Sequence, residues 1–164
     1  MRGRGFLIAL TATGKENGMK TLLISACLLG ARCRYDGGSK PQPGVEELAG
    51  RYRLIPVCPE QLGGLPTPRA PSERQGDRVV SRQGWDVTAE YRRGAEEALR
   101  LLDFFHAEGA VLKERSPSCG KGVIYDGSFS GALTEGDGVF AQLLRERGVP
   151  VYRESDIPDL LGKA

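Results

Sequence analysis

The chain contains a single histidine, His106. A Ser-His-Asp or Cys-His mechanism would have to run through it. It falls near the end of a helical pattern, where a surface or half-buried role is commoner than catalysis, so those schemes are set aside. No run approaches the roughly 20 apolar residues that cross a bilayer, and no membrane span is expected. Neither sign of charge dominates. The 23 Lys and Arg against 21 Asp and Glu leave +2, too little to diagnose a nucleic-acid or membrane partner. Cysteine is scarce, with four in 164 residues, and none forms the tight Cys-x-x-Cys pair of a zinc ribbon. A chain of this length buries roughly 68–70% of its unfolded surface, so it needs neither disulfide nor metal merely to fold. The four thiols therefore read as reduced cysteines of a cytoplasmic protein, not as a disulfide framework. Glycine-rich pieces at Gly37–Gly38, Gly63–Gly64 and Gly120–Lys121–Gly122 fit neither the P-loop nor the dinucleotide fingerprint.

Hydrophobic content of 40% and charged content of 27% are those of an ordinary soluble domain. Residues 1–18 differ from the rest: Arg2 and Arg4, a short apolar run from Phe6 to Leu10, then polar residues up to Gly18. A secretory signal starts this way, but the run is short and no clean small-residue cleavage site follows. The expectation is an N-terminal extension over 1–18, disordered or non-native, ahead of one domain over 19–164.

Within that domain Thr21 to Ala26 is a mostly apolar run ending at Cys27, as for a strand buried on both faces. Leu29 to Pro43 reads as loop, Val45 to Ala49 as a short helix, and Leu54 to Cys58 as a second strand ended by Pro59. Gln61 to Trp85 reads as a long functional loop. A helix capped by Thr88 runs to about Glu108, followed by a strand at Ala110 to Leu112 and an irregular stretch from Ser116 to Gly131. Thr134 to Arg147 reads as the last helix, Val149 to Tyr152 as the last strand, and Ile157 to Leu161 as a short tail. Alternating strands and helices predict an α/β fold, a single-domain three-layer αβα sandwich with a mostly parallel, Rossmann-like sheet.

In such sheets ligands bind beyond the carboxyl ends of the strands. Cys27, Cys58 and Cys119 follow the first, second and third strands. A single free cysteine is commonly just a small buried apolar residue. Three at equivalent topological positions point to a shared metal or cluster site, and spacing alone leaves zinc and iron–sulfur both open. Cys33 lies six positions after Cys27 on the first loop. Glu60 is two residues past Cys58, so an extended chain would point both side chains the same way. An acid beside thiolates has its pKa raised and is suited to carrying protons. Ser116 and Ser118 flank Pro117 just before Cys119, where their hydroxyls hold a water or substrate group, or bond to the turn itself. Arg34, Arg69 and Arg115 are read as solvated loop arginines.

Taken together, the motifs resemble the thiouracil desulfidase family. Ser25–Ala26–Cys27–Leu28–Leu29–Gly30 with Arg34–Tyr35–Asp36–Gly37–Gly38 is similar to its first motif. Val57–Cys58–Pro59–Glu60, then Gly63–Gly64–Leu65 and Pro68–Arg69, is similar to its second. Lys113 and Ser116–Pro117–Ser118–Cys119–Gly120 resemble its third, and Asp86–Val87–Thr88 a further short one. The resemblance implies non-redox desulfuration of thiolated nucleobases such as thiouracil, with a small thiolated base as partner and no membrane or nucleic acid. It implies a 4Fe–4S cluster held by Cys27, Cys58 and Cys119, with Cys33 outside the ligand set. Three ligands leave one iron open for the thione sulfur, as in a catalytic site. Glu60 matches the family's acid/base residue and activates a water, and Ser116 matches its hydroxyl residue. Two other readings remain at this stage. A zinc- or cluster-binding module using all four cysteines leaves Glu60 and the loop from Gln61 without a role. A sulfur-transfer protein in tRNA thiolation is not supported by the charge of +2.

Overall fold

Thr21–Ser25 (β1) is buried at every position in a computed structural model that describes residues 18–163. A one-turn 3-10 helix over Ala26–Leu29 follows, then α1 (Val45–Arg51) and β2 (Arg53–Val57). The chain continues through α2 (Pro59–Leu62), β3 (Ser72–Gln75), β4 (Arg78–Ser81) and α3 (Thr88–Phe104). It ends with β5 (Gly109–Leu112), β6 (Val123–Tyr125), β7 (Leu133–Glu135), α4 (Val139–Glu146), β8 (Val151–Arg153) and α5 (Ile157–Leu160). The expected extension falls on residues 1–17, outside the described part. Among the described residues no helix is long and apolar enough to cross a membrane.

The main sheet has the order β2-β1-β5-β8 and every pair in it is parallel. Side chains alternate between its faces with the period of two that a strand imposes. Leu23, Ala110 and Leu112 turn to one face and pack with Ala95, Ala98 and Leu102 of α3 and Phe140, Ala141 and Leu144 of α4. Leu22, Ile24 and Val111 turn to the other, against Leu48 of α1 and Ile157 of α5. Each buried Leu, Ile, Val or Phe contributes about 1.5–3 kcal/mol, and two such faces explain why β1 and β5 read as unbroken apolar runs. Pro56 sits within β2 because that strand is at the edge of the sheet, where a missing N–H is tolerated.

Three sequence expectations change. Gln61 to Trp85 is not all loop: it begins in α2 and holds the antiparallel β3–β4 hairpin, turning at Gly76–Asp77. The irregular stretch from Ser116 contains β6, which pairs with β7. The last helix starts at Val139 rather than Thr134, because Leu133–Glu135 is taken into that second hairpin. Gly138 can begin α4 where no other residue would fit, since a Cβ there would fall 2.4 Å from the Ser118 carbonyl carbon and oxygen. The helix expected to run to about Glu108 stops at Phe104, and His106 beyond it is exposed. Thr88 is the first residue of α3, not its cap; its hydroxyl accepts from Val79 N at 2.9 Å and so ties the first hairpin to the helix.

The approach of α2 to α3 sets the site. A Cβ at Gly94 would lie 1.7 Å from the Pro59 carbonyl oxygen, and one at Gly63 would lie 2.0 Å from that of Glu90. Arg93 clamps the end of α2 by donating from Nε (3.0 Å) and Nη2 (2.8 Å) to the Gly63 carbonyl. Gly94→Ala therefore forces backbone apart, and overpacking of this kind costs about 3 kcal/mol, the upper part of the usual range. At about 2–4 °C per kcal/mol for a domain of this size, Tm is expected to drop by about 6–12 °C in calorimetry. An unchanged Tm would mean that the two helices do not meet as described.

Candidate metal centre

The chain leaves β1 on one side to form β2 and comes back on the other side to form β5, so the carboxyl ends of β1 and β5 flank a topological switch point. A cavity of about 610 Å³ opens there. Cys27 enters it from the 3-10 turn after β1, and Cys58 from the position before α2. Cys119 enters from the loop after β5. Ser25 stitches the two inner strands together at this end, its hydroxyl accepting from Lys113 N at 2.9 Å.

The Cys119 loop is held by the start of α4. The first amides of a helix have no partner inside it. Here Val139 N donates to Pro117 O (2.8 Å), Phe140 N to Ser118 O (2.9 Å) and Gly138 N to Gly120 O (2.7 Å). Ser116 Oγ accepts from Ser118 N and Cys119 N, each at 3.1 Å, and closes the turn from within.

All four cysteines are free thiols, and Cys33 also lines the cavity. Burial, followed by the Glu60 charge, pushes the Cys119 thiol well above its usual pKa. Cys58 is raised by its contact with Cys33, then by burial and Glu60. Such thiols stay neutral unless a cation draws off their protons, which is what metal binding does. Ser118 Oγ is wholly buried without a hydrogen-bond partner, and it lies against Cys119, where a thiolate would accept from it. Among the described residues no three His, Cys, Asp or Glu side chains are arranged to hold a single metal ion. A cubane takes one thiolate at each corner and so accepts thiols set wider than one ion does. The donor set fits an iron–sulfur cluster held by Cys27, Cys58 and Cys119.

Glu60 reaches the site by a different route from the one its spacing suggests. It lies in the first turn of α2, not on extended chain, and is only 9% exposed. Its Oε2 accepts from the Cys58 thiol at 3.4 Å and its Oε1 accepts from Ser116 Oγ at 3.5 Å. The structure thus brings Glu60 and Ser116 together beside Cys58. It keeps Ser118 behind the cavity wall.

Other walls carry weaker sequence signals. Tyr91, on the core face of α3, also borders the cavity. Phe129 is positioned by Glu73, whose Oε2 accepts from Gly127 N (2.8 Å) and Phe129 N (3.0 Å), and Arg82 lies over its ring at 5.7 Å. Arg34, Arg69 and Arg115 all line the cavity. Arg69 is not a solvated loop residue: it donates to Pro66 O, Thr67 Oγ1 and Cys33 O. Lys113 pairs with Glu154 at 2.8 Å, and the other oxygen of Glu154 accepts from Glu114 N at 3.0 Å, fixing the chain just after β5. His106 takes no part in the cavity wall. The Gly76–Asp77 turn between β-rich segments was the sequence signal for the hairpin that brings in Glu73 and Arg82.

Comparison with known proteins follows the same lines. The model of a family described as 2-thiouracil desulfurase matches residues 22–156. The uncharacterised Bacillus subtilis protein YbbK is 39% identical over 150 residues, covering 85% of this chain and 99% of its own. A solved structure of a 4Fe–4S-dependent thiouracil desulfidase, TudS, is 48% identical with a TM-score of 0.82, covering 87% of this chain and 95% of that one.

Proposed function

Since the chain belongs to the 2-thiouracil desulfurase family, we propose that it hydrolyses the C–S bond of thiolated nucleobases such as thiouracil at a 4Fe–4S cluster held by Cys27, Cys58 and Cys119. The observation that carries this reading is Glu60, a buried carboxylate bridging a candidate ligand thiol and a cavity-lining hydroxyl. The likeness to TudS supports the same cofactor and the same class of substrate.

When bound, the cluster supplies a soft Lewis-acidic iron for the thione sulfur, which draws electron density off the C–S carbon. The rest is done by the chain. Ser116 holds a water between its hydroxyl and Glu60. Glu60 takes a proton from that water as it attacks the carbon. The C–S bond breaks, sulfur leaves as hydrosulfide, and the proton on Glu60 returns to the departing groups. Water plus thione becomes carbonyl plus hydrogen sulfide, with no change in oxidation state and no external reductant. Tyr91 and Phe129 supply apolar walls for a flat base, and one open face admits it.

Ser116→Ala removes both the water's holder and the acceptor for the amides of Ser118 and Cys119. A misplacement near 1 Å costs about 10²-fold, so kcat is expected to fall by about that factor with most of the iron retained. Full activity in the Ala variant would remove Ser116 from the reaction. The reading as a whole is tested by purification without oxygen. Brown protein containing iron and acid-labile sulfide, which converts 2-thiouracil to uracil and hydrosulfide, is expected. Colourless protein carrying one zinc and inert toward thiouracil would contradict it.

A further inference from the structure

Four thiols, not three, face the cavity. Cys33 is 6% exposed, as deeply placed as Cys27 at 7%. Its thiol is in hydrogen-bonding contact with those of both Cys27 and Cys58. Its backbone is pinned on both sides. The N–H donates to Ala31 O at 2.9 Å, and the carbonyl accepts from Arg69 Nη2 at 3.1 Å and from the Cys58 thiol at 3.7 Å. A cysteine that served only as a small apolar filler would need no such fixing, nor a place between two ligand thiols. Resting on the cluster reading above, we propose that Cys33 is a fourth, displaceable thiolate ligand that caps the iron left open by the other three cysteines until a thione sulfur takes its place.

The four cysteines differ in how they are held. Cys27 and Cys58 directly follow paired strands, and the loop of Cys119 is tied down by the first amides of α4. Cys33 lies in the loop from Leu29 to Pro43, between turns that require a left-handed glycine at Gly30 (φ +100°) and Gly37 (φ +77°). Its side chain can swing away without unpairing a strand, which those of the other three cannot. The exchange balances simply. One sulfur leaves the iron and another replaces it, no electron moves, and the released thiolate takes one proton from solvent. A capped iron in the resting protein is also protected from the oxidation to which an open three-thiolate site is prone.

The test compares the full-length protein with its Cys33→Ala and Cys33→Ser variants, each reconstituted anaerobically and examined by Mössbauer spectroscopy with and without 2-thiouracil. In the wild type all four irons are expected to share sulfur coordination. In both variants one iron in four becomes distinct, shifted toward oxygen coordination, and 2-thiouracil makes that iron resemble the others again. If the variants do not fold, the resting wild-type spectrum alone decides. Four alike irons support the cap. One distinct iron in the wild type, matching that of Cys33→Ala, overturns the role of Cys33 and leaves the three-thiolate site standing. Absence of iron and sulfide from the wild type overturns both.

Discussion

Glu60→Gln is expected to lower thiouracil turnover by about 10²–10⁴-fold while leaving iron and acid-labile sulfide at wild-type levels, the range that general-base catalysis supplies. The substitution keeps the side chain's length and one oxygen, so the amide can still accept from the Cys58 thiol or from Ser116 Oγ. What it loses is the capacity to take a proton from water. Glu60 is not a ligand in this account, and α2 remains fixed by Gly63, Gly94 and Arg93. The cluster should assemble normally and thiouracil should still bind, so the loss should fall on kcat rather than KM. Timed release of hydrosulfide from matched anaerobic samples checks it. Full turnover by the Gln variant would take Glu60 out of the mechanism. Loss of iron without a separate kinetic defect would make it a structural residue.

Replacing Cys27, Cys58 or Cys119 singly with Ala should abolish the cluster, and with it all desulfuration. Each such change leaves only two of the three fixed thiolates, and the remaining donors of the cavity are oxygen and nitrogen groups ill-suited to soft iron. Cys33→Ala should retain its iron, because the three thiols on strand ends and on the α4-tethered loop are untouched. Iron and sulfide assays on the four variants separate the cases. Equal loss of iron in Cys33→Ala and Cys27→Ala would indicate four obligatory thiolates and count against a thione reaching the metal.

The sequence carried the parallel sheet because β1 and β5 are buried on both faces, and a doubly buried strand must be apolar throughout. It also carried the convergence of Cys27, Cys58 and Cys119, since strand ends of one parallel sheet lie side by side. The hairpins were harder to read. Glu73 in β3 is buried and charged, and its partners Gly127 and Phe129 are more than fifty residues away, so no local pattern announces the strand. Thr134 looked like the start of a helix because Val139, Phe140 and Leu143 carry helical spacing, but pairing with Ile124 takes it into β7. Glu60 was singled out for its distance from Cys58 along an extended chain. It arrives instead on a helical turn, placed by the glycine contact between α2 and α3, which spacing cannot disclose. Cys33 shows the same limit: its thiol contacts depend on a loop whose course only the folded chain defines.

The central claim is hydrolysis at a three-thiolate cluster with water as the only co-reactant. Its most direct test is a single anaerobic turnover experiment with the reconstituted protein and 2-thiouracil in water labelled with heavy oxygen, with no reductant added. The account predicts one hydrosulfide released for each uracil formed, with one labelled oxygen in the product at the carbon that bore sulfur. Unlabelled product, or turnover that begins only when a reductant is supplied, would contradict it.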